Sequence, residues 1–251
     1  MATRFAFWRR GDEEAAGEKH TQPGLLSDFI LGSQDGIVNV LGVLLGVAIA
    51  AQQQYNSASI IFKVVLAGGL AATFAESISM GAVAYTSTLA RRDHYLSELA
   101  REEREMKELP DMERQEVREV FRRWGFEGKE LEEAVNHIVS KPRAWLEFMM
   151  AHELGLAPLG ENQARKSALL VGFAAILGSF IPLVPFLVFP ADIFLGMAGS
   201  VVVAGVVLFV IGWYKGRITI GRPYRSGVQM LVIGITSAVA GFLIAFLVGA
   251  A

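Results

Sequence analysis

The sequence predicts an all-α membrane protein: five transmembrane helices, with a helical cytosolic metal-binding insert between the second and third. Three observations carry this. Of 251 residues, 53% are hydrophobic and 19% charged, with a mean hydropathy of +0.41; ordinary soluble domains have about 45–50% and about 25%. The charges are concentrated, since 17 of the 25 acids and 14 of the 23 bases lie between Arg91 and Lys166. The rest of the chain resolves into apolar runs that reach the ~20 residues needed to cross a bilayer core as helix, the form that satisfies its own backbone groups in lipid.

In chain order the runs are Leu25–Ala51, Ile60–Ala90, Ser167–Phe189, Ala191–Tyr214 and Gly227–Ala251. This divides the chain into a tail (1–24), the first two helices (25–90), the insert (91–163) and the last three helices (164–251). Pro182, Pro185 and Pro190 are expected to end the third helix and start the fourth. Gly42-xxx-Gly46 and Gly196-xxx-Ser200 are expected to be points of close helix packing. The tail carries Asp12, Glu13, Glu14 and Glu18 and has no apolar core of a signal peptide. Arg4, Arg9, Arg10 and Lys19 lie in the tail, Arg91, Arg92, Arg165 and Lys166 at the two ends of the insert, and Lys215, Arg217, Arg222 and Arg225 in the fourth connection. The first and third connections have neither Lys nor Arg. By the positive-inside rule the N-terminus, the insert and the fourth connection face the cytosol. The chain is expected to be a multi-pass protein of a membrane that borders the cytosol.

Several classes of activity are excluded. A net charge of -2 leaves no basic surplus for nucleic acid. Zero cysteines exclude disulfides, thiolate zinc sites, iron–sulfur clusters and a cysteine nucleophile. No Gly-x-x-x-x-Gly-Lys-Ser/Thr loop is present for ATP hydrolysis. Arg91, Ala134 and Met149 stand three residues before His94, His137 and His152, so none forms a Glu-x-x-His di-iron pair. Leu156 stands where a second zinc-protease histidine belongs. The chain is not expected to be an enzyme, and no resident cofactor is expected.

Carboxylates inside membrane runs are costly and usually functional. Asp35 lies in the first helix, seven residues after Asp28, with Asn39 one turn on. Glu76 lies in the second, on one face with Gly69, Thr73 and Met80. Carboxylate, amide and thioether groups together form a ligand set for a cation, with sulfur favouring a transition metal. The competing reading is interfacial snorkelling or a structural hydrogen bond between helices.

The insert reads as four helices. The first follows Tyr95 and breaks at Pro110. The second is Asp111–Trp124, with Val117, Val120, Phe121 and Trp124 inward. The third is Glu130–Val139, and the fourth is Pro142–Leu154 with Ser140 as N-cap. Glu102 and Glu105 are three apart, as are Glu113 and Glu116, so each pair presents both carboxylates to one side. Met149, Met150 and Glu153 follow on the fourth helix. Facing pairs make an oxygen-rich cage for divalent ions. The competing reading is a solvated, salt-bridged face, given the interleaved Arg101, Arg104, Arg114 and Arg118.

Several stretches resemble the vacuolar iron transporter family. Gln34-Asp35-Gly36-Ile37-Val38 is similar to its Ser-Asp-Gly-Leu segment, and Ala75-Glu76-Ser77-Ile78-Ser79-Met80-Gly81 to its Ala-Ile-Ser-Met-Gly segment. Asp93-His94-Tyr95, the glutamate pairs and Ala144-Trp145-Leu146-Glu147-Phe148-Met149-Met150-Ala151-His152-Glu153-Leu154-Gly155-Leu156 also match, the last being the most specific. The resemblance implies a homodimer exporting ferrous iron from the cytosol in exchange for protons, along a path between the first two helices of each subunit. It implies Asp35 and Met80 on the transport path and Glu102, Glu105, Glu113, Glu116, Met149, Met150 and Glu153 as the cytosolic metal site. Plant members carry their second-helix glutamate eight residues before the methionine; here Ala72 fills that place, and Glu76 is the expected replacement. The expected partners are divalent metal ions, protons, lipid and a second copy of the chain. The resemblance implies Fe²⁺ as substrate, and Mn²⁺ and Zn²⁺ are expected to fit the same ligands. The alternatives are a manganese exporter of the same family and a non-transporting, membrane-anchored metal buffer or sensor.

Overall fold

The computed structural model describes residues 23–219 and 221–249, and these are all-helical, without strands. Expectations placed on the charges of residues 1–22 lie outside the described residues. In chain order the elements are α1 (Pro23–Gln54), α2 (Ala58–Glu108), α3 (Pro110–Arg123), α4 (Gly128–Val139), α5 (Pro142–Phe148), a π-helical turn (Met149–Glu153), α6 (Gln163–Val188), α7 (Ile193–Ile218) and α8 (Pro223–Gly249). Five of them, α1, α2, α6, α7 and α8, are long and apolar enough to cross a membrane. The chain is a multi-pass membrane protein. It divides into two compact units, one formed by residues up to Met80 and from Leu170 onward, the other by Gly81–Leu169.

The membrane unit is held by close backbone approach. Between membrane helices, lipid removes most of the hydrophobic drive, and packing of small residues takes its place. A side chain on Gly178 of α6 would come within 2.2 Å of the Ser33 carbonyl oxygen of α1, and one on Gly36 of α1 within 2.3 Å of the Ala175 carbonyl oxygen. Gly42 and Gly46 pack against Ser237 and Gly241 of α8, and Gly196 against Phe186. Ser200 Oγ donates to the Pro182 carbonyl at 2.6 Å. Both small-residue motifs are therefore helix contacts. Around them Ile37, Val40, Leu41, Leu44, Val65, Leu183, Phe186 and Leu208 form the apolar core. Gly178→Val is expected to push α6 off α1, since the obstacle is backbone. Overpacking of this kind costs about 1–3 kcal/mol or more, seen as a lower thermal unfolding midpoint in detergent.

Three boundaries differ from those the sequence predicts. First, α2 is one helix of 51 residues, where a membrane helix and a separate cytosolic helix were expected. No Gly or Pro lies between Gly81 and Pro110, so nothing interrupts the backbone ladder when the composition turns from apolar to charged. Second, Pro182 and Pro185 lie inside α6 and do not end it; neighbouring membrane helices stabilise a proline-containing helix that would break in water. Pro190 does stand in the α6–α7 connection. Asp192 there caps α7, its Oδ1 accepting from the Leu195 backbone N–H at 3.0 Å. Third, the expected helix over 142–154 is α-helical only to Phe148, then widens into the π turn.

In the second unit Val117, Val120, Phe121, Leu131, Val135, Trp145, Phe148 and Met149 are buried together. Trp124, expected inward, is 51% exposed. It stands edge-on to Phe121 and Phe148, with centroids at 5.5 and 5.8 Å, and covers the rim of this core. Arg118 ties α3 to α4 through Glu132, with nitrogen–oxygen distances of 2.8 and 3.0 Å, and Arg114 bonds Asn136. The carboxyl of Glu132 is held below the usual range by the Arg118 hydrogen bonds. Ser140, expected to cap α5, instead donates from Oγ to the His137 carbonyl at 2.9 Å. Lys141 holds the N-cap position, preset as extended by the following proline.

Candidate metal centre and membrane carboxylates

The first candidate site forms where α2, α3 and the π turn meet within the second unit. The i, i+3 spacing of Glu102 and Glu105 turns both toward α3, where Glu113 and Glu116 stand one turn before the buried Val117 and Val120 and share their face. Carboxylate oxygens of Glu102, Glu105 and Glu113 lie within 4.8 Å of one another. Glu102 is 2% exposed and Glu113 4%. One oxygen of each, Oε2, has no hydrogen-bond partner. Acids packed this closely and this deeply repel one another, which a cation among them would relieve.

The electrostatics carry the same sign. Burial pushes Glu113 up to about 8, assisted by the neighbouring charges of Glu116, Glu102 and Glu153. Burial pushes Glu153 up to about 7, with Glu116 and Glu102 adding to it and Arg101 opposing. Glu116 is raised by burial and by Glu102 and Glu105, while its hydrogen bond with Glu153 works the other way. The glutamates from three separate segments thus form one coupled group. Arg101 faces it, with its guanidinium 2.9 Å from Glu98, 3.4 Å from Glu102 and 3.4 Å from Glu105. One guanidinium does not balance five carboxylates. This counter-charge is absent from the expected site, although its i, i+3 and i, i+4 spacing to Glu98 and Glu105 was in the sequence.

Met149 and Met150 are 0% and 2% exposed. Met149 packs into the apolar cluster with Val117 and Phe148. The π turn closes through the Leu154 N–H to the Met149 carbonyl at 3.1 Å and the Leu156 N–H to the Met150 carbonyl at 2.8 Å. Gly155, at φ 64°, ends it in the left-handed region. Such wide turns recur at functional sites. Here the turn places Glu153 among the other acids while the methionines stay buried.

A metal must displace the protons on Glu113 and Glu153, so binding to this centre is expected to tighten as pH rises from 6 to 8 and to level off above that. Where both acids are protonated the affinity gains up to ~100-fold per pH unit; titration calorimetry across pH reads it. Linkage runs oppositely for the metal-free protein. A carboxyl raised from 4.5 to about 8 contributes stability that is present below pH 4.5 and lost as pH climbs to 8. The metal-free melting midpoint should fall over that window, and metal should restore it.

In the membrane unit, Glu76 of α2 is in hydrogen-bonding reach of Asp35 and Asn39 of α1. Asp35, Glu76 and Met80 are half-buried and Asn39 is exposed. Thr73, one turn before Ser77, is fully buried, with Oγ1 donating to the Gly69 carbonyl at 2.8 Å, while Ser77 Oγ donates to the Thr73 carbonyl at 2.6 Å. Both hydroxyls are occupied along the helix. Ala72 packs against the apolar core. The helix turn from Ala72 to Glu76 carries the acid to the level of Asp35.

The sequence model of the VIT family matches residues 26–246. Vacuolar iron transporter 2 of Oryza sativa subsp. japonica is 37% identical over 227 residues, covering 90% of this chain and 88% of that protein. Vacuolar iron transporter 1 of Arabidopsis thaliana is 35% identical over 229 residues, covering 91% and 88%. Protein CCC1 of Saccharomyces cerevisiae is 25% identical over 256 residues, covering 96% and 76%. With its five apolar spans and the family match along nearly its whole length, the chain belongs to the VIT family.

Proposed function

We propose that this protein carries ferrous iron out of the cytosol in exchange for protons, collecting the metal at the Glu102–Glu105–Glu113–Glu116–Glu153 centre and passing it along Asp35, Glu76 and Met80. The observation that carries the reading is the convergence of acids from α2, α3 and the π turn, with Glu102 and Glu113 buried among them. In this reading Met149 and Met150, four and three residues before Glu153 in the chain, supply thioether sulfur, which favours a transition metal over Mg²⁺ or Ca²⁺. The relatives' names refer to iron, which supports Fe²⁺ among the ions this ligand set accepts.

Exchange follows from the pairing of Asp35 with Glu76. Two carboxylates in reach of each other inside a membrane are accommodated when they share a proton or hold a cation. A bound metal drives the proton off, and its release readmits one. Half-buried acids on α1 and α2 facing lipid are unfavourable, so a second copy packed against these helices is part of the proposal. The deciding experiment is uptake into proteoliposomes of Fe²⁺, Mn²⁺ and Zn²⁺, with and without an acidic lumen. Fe²⁺ uptake accelerated by the gradient is the expected result. Preferred Mn²⁺ uptake would make the protein a manganese exporter, and binding without uptake would make it a buffer or sensor.

A further inference from the structure

We propose that the junction of α7 and α8 binds the phosphate-bearing headgroup of an anionic phospholipid of the cytosolic leaflet. A cavity of about 460 Å³ opens there, and Lys215, Thr219, Arg222, Arg225, Ser226 and Gln229 line it. Three cations and three neutral hydrogen-bonding side chains converge on one hollow. No Asp or Glu follows Asp192 in the sequence, so neither α7 nor α8 supplies a carboxylate to neutralise them. None of the three cations forms an ion pair with another described residue. Arg217 is engaged elsewhere, its guanidinium 5.3 Å from the centre of the Trp213 ring.

The depth of the cavity points to lipid. α7 and the spanning part of α8 each have 26 residues, or ~39 Å of helix. That exceeds the ~30 Å hydrocarbon core and reaches into the headgroup layer. A short connection between two such spans lies at headgroup level. Tyr214 and Tyr224, 52% and 73% exposed, stand on either side of it, as aromatic residues do at membrane interfaces. The positive-inside rule puts this connection on the cytosolic face, where anionic lipids attract basic clusters. The hollow is also preformed. A side chain on Gly216 would come within 2.8 Å of the Pro223 Cα, so the helix ends touch and the backbone that carries the bases is fixed around the opening. A phosphodiester is ionised throughout the physiological range, and two guanidinium groups recognise its oxygens as planar forks. A divalent metal is repelled here, which separates this site from the transport path.

The test uses the full chain in nanodiscs of phosphatidylcholine with increasing phosphatidylglycerol. Lipid retained after detergent extraction is counted by native mass spectrometry. Phosphatidylglycerol should be retained over phosphatidylcholine by at least about tenfold. Arg222→Gln with Arg225→Gln should abolish the preference, and Arg225→Gln alone, the milder change, should reduce it with the melting midpoint in phosphatidylcholine unchanged. Equal retention of the two lipids, or a preference unaltered in both variants, overturns the proposal. Displacement of the retained lipid by millimolar inorganic phosphate also overturns it, and assigns the hollow to a soluble phosphate.

Discussion

Replacing Glu113 and Glu116 together by glutamine is expected to weaken divalent metal binding to the full-length protein by at least ~100-fold, because two of the anionic ligands are lost from one coupled group. Glutamine keeps the shape of each side chain. The metal-free variant should therefore fold, and at pH 8 it should melt higher than the parent, since the repulsion and burial that raise Glu113 to about 8 are relieved. Calorimetry with Mn²⁺ as an air-stable probe reads the first effect, and thermal unfolding with a chelator reads the second. Unchanged affinity together with an unchanged melt would identify the acidic faces as solvated surface and remove the centre. A large affinity loss with a raised melt is specific to a metal cage. On the proposed function, the same variant should lower iron flux at limiting metal and leave flux at saturating metal less affected, because Glu113 and Glu116 belong to one unit and Asp35, Glu76 and Met80 to the other.

The second large effect is expected in the membrane. Asp35→Asn and Glu76→Gln each remove one acid from the pair that α1 and α2 bring together. Each should reduce iron flux into proteoliposomes by at least ~100-fold, while metal binding at the glutamate centre stays within about twofold, since no residue of that centre is altered. Glu76→Gln mimics a permanently protonated side chain. Whatever flux remains should no longer accelerate when the lumen is made acidic. If this variant still responds to the gradient as the parent does, the proton is carried elsewhere and Asp35 becomes the exchanging group. Normal flux in both variants would remove the path altogether. Met80→Ala should act more weakly, about tenfold, because a thioether contributes a soft contact and no charge.

Much of this was legible in the chain itself. The five membrane helices follow from the length of the apolar runs and the concentration of charge in residues 91–166, because lipid leaves the backbone little alternative to helix. The glutamate pairs were legible because i, i+3 is a local rule; Glu102 with Glu105 and Glu113 with Glu116 share faces whatever the rest of the chain does. Tertiary structure decided the rest. The continuity of α2 through Tyr95 depends on an absence of breakers, which a change in composition concealed. Pro182 and Pro185 read as helix ends because proline removes a backbone donor, but α6 passes through them where neighbouring helices pack around it. The π turn at Met149–Glu153 has no signature in residue type, and it sets which side chains of that segment reach the acids. The pairing of Asp35 with Glu76 and the oxygen cage of Glu102, Glu105 and Glu113 join residues on different helices. Spacing along one helix specifies a face; only packing specifies what that face meets, and the displaced ionisation of Glu113 and Glu153 arises from those neighbours and that burial.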